Sequence, residues 1–180
     1  VRATALSSLR FDASTGASER IQATRDADPE VRAAAAESLE GLSAAQRLYA
    51  LPPLLRDPVK AVRIAAARSL LTLPPGQIDT ATRPAFDAGL AEYIAAQSVA
   101  LDMPGPLLNL AVVYQHTGRT DLAEQHYLAA LKIDPENMAV CRANLPPFAG
   151  RVTSLPPGVW SAAGPLVVAR CTYRDGAAWT

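Results

Sequence analysis

The chain has few of the residues that usually carry chemistry. Its 180 residues include two cysteines, two histidines and 6% aromatic side chains, and its formal net charge is zero. Neither Cys141 nor Cys171 stands in a Cys-x-x-Cys or Cys-x-x-Cys-His setting, so no zinc, redox or covalent-haem motif is encoded. Two free thiols and a single disulfide both remain open. Without an excess of basic residues, the composition favours no nucleic-acid partner.

Long apolar runs are missing too. No run of about 18 apolar residues is present, so we expect no membrane span. The sequence given also shows no basic-then-apolar leader with a small-residue cleavage site. The chain begins at Val1 inside a repeated phrase, which is typical of a fragment, so an upstream domain or export signal stays open. We attribute the excess of Arg over Lys, 15 to 2, to coding bias of a GC-rich genome.

Catalytic constellations are missing as well. The sequence has no Gly-rich phosphate loop, no nucleophile with a placed base and no recurring pair of carboxylates. His116 and His126 have no cluster of Cys, Asp or Glu that would complete a metal site. We therefore predict no catalytic residue, no cofactor and no metal ligand, and we interpret the chain as non-enzymatic.

What the sequence does contain is a repeat. The phrase Val-Arg-x-x-Ala-x-x-x-Leu begins at Val1, Val31 and Val62, with a period of 30 to 31 residues. Its apolar positions are four residues apart, which places them on one helical face. Asp28-Pro29 and Asp57-Pro58 offer a capping carboxylate followed by a proline, so helices are predicted to begin near 29 and 58.

A second apolar stretch precedes each of these helices, at 20–25 and at 44–55. It supplies the other helix of a helix-turn-helix hairpin. Hairpins with this period bury their apolar faces only against their neighbours. We therefore predict an all-α fold, a right-handed solenoid of helical repeats, whose first domain covers residues 1–75.

These repeats resemble the short form of the HEAT family over residues 1–71. In that family an Asp in the turn and an Arg six residues later form a polar ladder between adjacent units. Asp26 with Arg32, and Asp57 with Arg63, have this spacing. The resemblance implies a structural role for the four charges.

The arginines of these repeats do not indicate a phosphate-binding surface. They alternate with Asp and Glu along the chain and form no continuous stripe. The residues concerned are Arg20, Arg25, Arg32, Arg56 and Arg63. We therefore expect no nucleic acid among the partners.

A second module is predicted over residues 84–143, after a break at 73–76 and a boundary near 74–83. One amphipathic helix is expected over 84–101, with a core formed by Phe86, Leu90, Tyr93, Ile94 and Val99. The next 34 residues, 104–137, resemble a tetratricopeptide repeat. The matching residues are Leu107, Leu110, Ala111, Tyr114, Gly118, Ala123, Tyr127, Ala130 and Pro135. The segment from Met138 is expected to begin a further repeat.

The resemblance to tetratricopeptide repeats implies a binding groove. In that family the first helix of each unit lines a concave groove that holds extended peptides or partner helices. By position, Leu108, Val112, Gln115 and His116 would face such a groove and contact a protein or peptide partner. The alternative is that Leu108 and Val112 pack on a neighbouring helix.

After Asn144 the helical pattern ends and proline and glycine recur. The charge balance also inverts: residues 1–136 carry 13 basic and 16 acidic groups, whereas residues 137–180 carry 4 and 1. Residues 166–173 have the pattern of a strand, but one strand alone has nothing to pair with. We predict an irregular or disordered tail over 144–180; a genuine extension and a shifted reading frame both stay open.

Two functions follow. Repeats of two solenoid families and no catalytic motif favour a non-enzymatic scaffold for protein–protein interaction. The alternative comes from the order of modules, since HEAT phrases followed by RPAFDAGLAEYIAAQ and a tetratricopeptide unit resemble the C-terminal region of large bacterial multihaem c-type cytochromes. That resemblance implies haems on an upstream domain, none of them ligated by this chain, and a periplasmic location; otherwise the expected location is cytoplasmic.

Overall fold

The structure, a computed structural model, describes residues 2–8, 16–74 and 76–134, and the backbone of 160–163 and 168–171. The chain divides into two compact units, Val1–Ala96 and Gln97–Thr180. The helices of the first unit are α1 (Arg2–Ser8), α2 (Ala17–Ala23), α3 (Pro29–Ser38), α4 (Ala44–Ala50), α5 (Lys60–Leu71) and α6 (Arg83–Gln97), with 3₁₀ turns at Leu39–Gly41 and Pro52–Arg56. The second unit has α7 (Pro104–His116), α8 (Thr120–Ile133), β1 (Trp160–Ala163) and β2 (Val168–Cys171).

The second helices of successive hairpins form one layer of the first unit. α1 packs on α3, and α3 packs on α5. The side chains of Ala35 and Ala66, at the centre of the repeated phrase, are completely buried, as are those of Leu39 and Leu70. Small residues at these centres let neighbouring helices approach closely, and the leucines fill the space behind them. The prediction of an all-α helical-repeat solenoid is confirmed for this unit.

The second helices of the two hairpins begin at different points. α3 begins at Pro29 as predicted, and the Asp28 carboxylate accepts a hydrogen bond from the backbone N–H of Glu30 at 2.9 Å. α5 begins at Lys60, two residues later than the predicted start at 58, and its N-cap residue Val59 has no side-chain acceptor. The second helix start therefore lacks the capping carboxylate of the first.

The cause is the role of Asp57, which was predicted both to cap a helix as Asp28 does and to take the place of Asp26 in the next repeat. In the structure Asp57 is the counterpart of Asp26. Each of these two carboxylates accepts a hydrogen bond from the backbone N–H two residues later, Asp26 from Asp28 and Asp57 from Val59, both at 2.9 Å. Such a bond closes a turn of the chain before the helix begins.

Helix α6 packs against α5 within the first unit. A Cβ added at Gly89 would lie 3.0 Å from the Cβ of Ala67 and 3.2 Å from the carbonyl oxygen of Arg63. The absence of a side chain at Gly89 thus permits this close approach. The predicted boundary near 74–83, which placed this helix in the second module, therefore differs from the division in the structure, which falls between Ala96 and Gln97.

The core predicted for α6 is largely correct. Phe86, Leu90 and Tyr93 are buried and Ile94 is half-buried. Val99 is not a core residue, since 86% of its side-chain surface is exposed. The helix was predicted to reach residue 101, but it ends at Gln97, so Val99 lies beyond its apolar face.

In the second unit α7 and α8 form a tightly packed helical hairpin. Gly118 makes the turn with a φ of 74°, a conformation that glycine adopts without steric cost. Ala111 and Ala123 are completely buried between the helices. Tyr127 is 1% exposed, and its hydroxyl donates a hydrogen bond of 2.7 Å to Oε1 of Gln115. These residues, which were matched to a tetratricopeptide repeat in the sequence, thus form the turn and the contact between the two helices. Pro135 and the segment from Met138 lie outside the described residues.

We expect Tyr127→Phe to destabilise the α7–α8 hairpin by about 1 kcal/mol, because the Gln115 acceptor loses its donor while the ring packing is kept. Burial raises the pKa of Tyr127 to about 12, so the hydroxyl stays protonated and able to donate across the neutral pH range. Urea unfolding monitored by circular dichroism measures the loss. Gln115→Ala should cost a similar amount, and a double variant that loses twice as much would contradict a shared bond.

The tail contains a short antiparallel pair of strands. β1 and β2 pair with Trp160 opposite Cys171 and Ala163 opposite Val168. Residues 168–171 fall inside the segment 166–173, which had a strand pattern but no identified partner; the partner is β1. These eight residues are the described part of 144–180. The irregular tail predicted for the rest of that range lies outside the described residues and stays a prediction. None of the helices that the structure describes is both long and apolar enough to cross a bilayer.

Candidate functional site

The central feature of the first unit is a buried ion pair between successive repeats. Arg32 donates through Nε to Oδ2 of Asp57 at 2.7 Å and through Nη2 to Oδ1 at 3.1 Å. Its Nη1 donates to the backbone carbonyls of Asp26 at 2.8 Å and Ala27 at 2.9 Å. The planar guanidinium thus binds its own turn and the carboxylate of the next repeat at once.

The same arrangement recurs along the stack. Arg63 donates through Nε and Nη2 to the two carboxylate oxygens of Glu92, at 3.0 and 2.6 Å, and through Nη1 to the carbonyls of Asp57 and Pro58. Arg2 pairs with Asp26 at 2.9 Å. We call the three pairs Arg2–Asp26, Arg32–Asp57 and Arg63–Glu92 the ladder.

The structure therefore places all four predicted ladder residues in contacts between repeats, and it adds two more. Asp26 and Arg32 share a turn, where the guanidinium reaches the Asp26 carbonyl, whereas the carboxylate of Asp26 pairs with Arg2 of the preceding repeat. Glu92 was not foreseen, because the third acceptor lies on a helix and not in an Asp-containing turn. Its separation from Arg63 is 29 residues, against 24 and 25 in the other two pairs, so the spacing offered no signal for it.

The ladder changes the ionisation of its carboxylates. The hydrogen bonds from Arg32 hold the pKa of Asp57 below its usual value, against the opposing effect of burial. The hydrogen bonds from Arg63 likewise lower the pKa of Glu92. Both carboxylates are therefore charged in the folded state at neutral pH, and their pairing favours folding above the pH at which they take up protons.

A second set of arginines is buried on the first helices of the hairpins. The Arg20 side chain is completely buried and donates through Nη1 to the carbonyl of Ser38 at 2.8 Å. Arg47, 9% exposed, donates through Nη1 to the carbonyl of Ser69 at 2.9 Å and to the hydroxyl of Thr72 at 2.7 Å. Each guanidinium satisfies a carbonyl at the C-terminal end of the second helix of its own hairpin.

Neither burial was predicted: Arg20 was interpreted only as one of several charges that alternate with acidic residues, and Arg47 was given no role. A signal for both was present. Ser38 and Ser69 stand 31 residues apart at the same point of the repeat, and Arg20 and Arg47 lie in the apolar stretches before them. An arginine within an apolar stretch is expected to be paired when it is buried.

The residues of the predicted groove lie on α7 but differ in what they contact. Leu108 packs against the core of the α7–α8 hairpin, which agrees with the alternative of a packing role. Gln115 accepts the hydrogen bond from Tyr127. Val112 is half-buried and the surface of His116 is exposed, although protein atoms near its imidazole partly desolvate the ring and lower its pKa. Two of the four residues, Leu108 and Gln115, are thus engaged within the hairpin.

Metal-ligating side chains are dispersed in the part of the chain that the structure describes. Among those residues no group of three or more His, Cys, Asp or Glu side chains lies close enough to hold a metal ion. The carboxylates that do lie near other charged groups belong mainly to the ladder, where arginine neutralises them. Among the described residues, the carboxylates of the ladder therefore stabilise the stacking of repeats.

Comparison with known proteins agrees with this geometry. A model of HEAT repeats matches residues 17–96, which contain the Arg32–Asp57 and Arg63–Glu92 pairs of the ladder and end where the first compact unit ends. No curated protein and no solved structure matches the chain at a significant level. The resemblances to tetratricopeptide repeats and to multihaem cytochromes stay predictions. Residues 17–96 of this chain are similar to HEAT repeats.

Proposed function

We propose that the chain is a non-enzymatic scaffold that binds a protein or peptide partner. The observation that carries this proposal is the HEAT-like stack of residues 17–96, in which hairpins are joined by the ladder. Stacked repeats present an extended surface whose exposed side chains are free to vary while the ladder and the buried alanines keep the spacing. A rigid surface of this kind loses little conformational entropy when a partner binds.

The second part of the proposal concerns the α7–α8 hairpin, which we propose to be a tetratricopeptide repeat whose first helix contributes to partner binding. Support comes from the turn at Gly118 and from the alanines buried at 111 and 123. His116 and Val112 leave α7 on the same side, since they are four residues apart. Of the four predicted groove residues, Leu108 packs against the hairpin core and Gln115 accepts the Tyr127 hydrogen bond, which leaves Val112 and His116 for a partner.

We expect a partner captured by the wild-type chain to bind His116→Glu at least tenfold more weakly. A glutamate at the centre of a desolvated contact brings a charge without a partner. Chemical crosslinking in extracts of the source cells, followed by mass spectrometry, identifies the partner, and titration calorimetry with the purified pair measures affinity. Gln125→Glu is the matched control, since Gln125 is an exposed residue on α8.

The outcomes separate the two parts of the proposal. Equal affinity of wild type and His116→Glu would remove α7 from the binding surface and leave the scaffold function in place. If no crosslinked partner is found and the purified chain turns over a small-molecule substrate instead, the scaffold function is wrong.

A further inference from the structure

A small cleft lies on the face of the first unit formed by the first helices of the hairpins. It is bounded by α2 on one side and by α4 and the 3₁₀ turn Pro52–Arg56 on the other, and it encloses about 50 Å³. Apolar side chains line much of it, among them Ile21, Pro53 and Leu54. One water needs about 10–15 Å³ of such space, so the cleft has room for a small aliphatic side chain. We call it the α2–α4 cleft.

Tyr49 and Arg25 also line this cleft and are exposed to solvent. Tyr49 is 67% exposed, the second largest exposure among the large hydrophobic side chains of the described residues. Within those residues neither the Tyr49 hydroxyl nor the Arg25 guanidinium has a side-chain hydrogen bond. Tyrosine and arginine beside a small apolar pocket are the side chains that most often dominate the energy of protein–protein binding.

Among the described residues that line the cleft, Arg25 is the one with a charged side chain. Arg25 and Arg56 occupy the same place in successive repeats, each directly before a ladder carboxylate, and both are exposed. Those carboxylates are engaged elsewhere, since Asp26 binds Arg2 and Asp57 binds Arg32. The two arginine charges are therefore not neutralised by the acidic residues next to them in sequence.

One further carboxylate, that of Glu19, lies near Arg25. Glu19 shares with Arg25 a surface on the side of α2 that includes Asp26. Glu19 accepts a hydrogen bond from the Ser18 hydroxyl at 2.9 Å and is absent from the lining of the α2–α4 cleft. It reduces the positive charge beside α2, but no carboxylate is among the described residues that line the α2–α4 cleft. A negatively charged ligand is thus favoured at the cleft itself.

We propose that the α2–α4 cleft binds an acidic segment of a partner protein, which inserts one aliphatic side chain beside Tyr49 and Leu54 and places a carboxylate on Arg25. This inference rests on the proposed scaffold function and adds the chemistry of the partner. The apolar pocket selects the aliphatic side chain. The arginine selects an adjacent Asp or Glu, because a guanidinium binds a carboxylate through two parallel hydrogen bonds.

Selection of peptides on the full chain tests the proposal. A phage library of random dodecamers is enriched on the immobilised protein, and synthetic peptides of the selected sequences are titrated by fluorescence polarisation. We expect the enriched sequences to share an aliphatic residue next to Asp or Glu. Tyr49→Ala and Arg25→Glu should each weaken binding at least tenfold, whereas Lys60→Glu, an exposed charge reversal on α5, should change it less than twofold.

Charge exchange gives the sharpest control. Replacing the acidic residue of the peptide by Arg should abolish binding to the wild type and restore binding to Arg25→Glu. Both substituted side chains are exposed, so the variants should keep the circular dichroism spectrum and melting temperature of the wild type. Hydrogen–deuterium exchange of the wild-type chain with bound peptide, which needs no variant, should show protection in 20–25 and 48–55.

Three results would contradict the proposal that the α2–α4 cleft binds an acidic segment. Peptides that keep full affinity for both variants bind elsewhere, and the scaffold function then survives without this site. Enriched sequences without acidic residues contradict the stated partner chemistry. Failure to enrich any sequence on the wild type above a chain carrying both substitutions removes the cleft as a binding site, while the crosslinked partner of the preceding section decides the scaffold function independently.

Discussion

Asp57→Ala is expected to lower the free energy of unfolding of the first unit by about 3 kcal/mol, because it leaves the buried side of the Arg32 guanidinium without its carboxylate. The Asp57 side chain is only 7% exposed in this pair, and that of Arg32 15%. The substitution also removes the acceptor of the Val59 backbone N–H. Asp57→Asn keeps that acceptor and the shape of the side chain, so it should cost about half as much.

The matched control is Asp26→Ala, the same change one repeat earlier. Its partner Arg2 is 68% exposed, and an ion pair in contact with water contributes little, so the loss should stay near 1 kcal/mol. Urea titrations followed by circular dichroism compare the three variants at pH 7. Equal losses for Asp57→Ala and Asp26→Ala would show that the depth of the ladder pair does not matter.

The pH dependence tests whether charge is the cause. The pKa of Asp57 is lowered in the folded state by its hydrogen bonds with Arg32, so the unfolded chain takes up the proton first. The stabilisation by the pair is therefore complete above the ordinary carboxyl pKa of about 4 and is lost as the pH falls through the lower, folded pKa. The difference between wild type and Asp57→Ala should shrink in acid, and a constant difference down to pH 2 would point to packing alone.

The repeat was predictable because the residues that recur with its period are the ones that form the apolar face of a helix. A Val, an Ala and a Leu at four-residue spacing define a helical face, and the same face recurs at 31 and 62. The residues at 35 and 66 are buried between helices, and both are alanine because a larger side chain would separate the helices. Periodicity of this kind determines the hairpin and its stacking, which is why the solenoid followed from sequence.

The partners of the charges were harder to predict than their presence. The Asp-to-Arg spacing of six identified the ladder residues, but a spacing within one turn does not say which carboxylate each guanidinium reaches in the next repeat. Glu92 lies on α6, which the sequence assigned to the other module. The boundary was predicted at the Pro-rich break near 74, where the helical pattern stops. Such a break does not show whether the next helix packs on the same stack.

The binding surfaces are the least predictable part. The groove residues were assigned by family position, and two of the four, Leu108 and Gln115, are engaged within the hairpin. The α2–α4 cleft depends on how far Tyr49 projects from α4 and on where the 3₁₀ turn at 52–56 lies. Neither follows from periodicity, because exposed residues of a repeat do not take part in the packing that fixes the distance between repeats.

The buried arginines give the second large effect, and Arg47→Ala is expected to lower the free energy of unfolding by about 2–4 kcal/mol. The change removes a buried aliphatic stem and leaves the Ser69 carbonyl and the Thr72 hydroxyl without their donor. Both acceptors lie at the C-terminal end of α5, where carbonyls have no partner within the helix. We expect the end of α5 to fray, which hydrogen exchange at 68–72 would detect.

Arg47→Met separates the stem from the charge. Burial lowers the pKa of Arg47, which means that the surroundings disfavour the charged guanidinium, and the nearby charge of Glu40 offsets this only in part. Methionine keeps most of the buried volume and removes a charge that was costly to bury, so its loss should be about 1–2 kcal/mol. Arg56→Ala, the same truncation at an exposed position, should change stability by less than about 0.5 kcal/mol. If Arg47→Met is as damaging as Arg47→Ala, the hydrogen bonds to α5, and not the packing of the stem, hold the hairpin together.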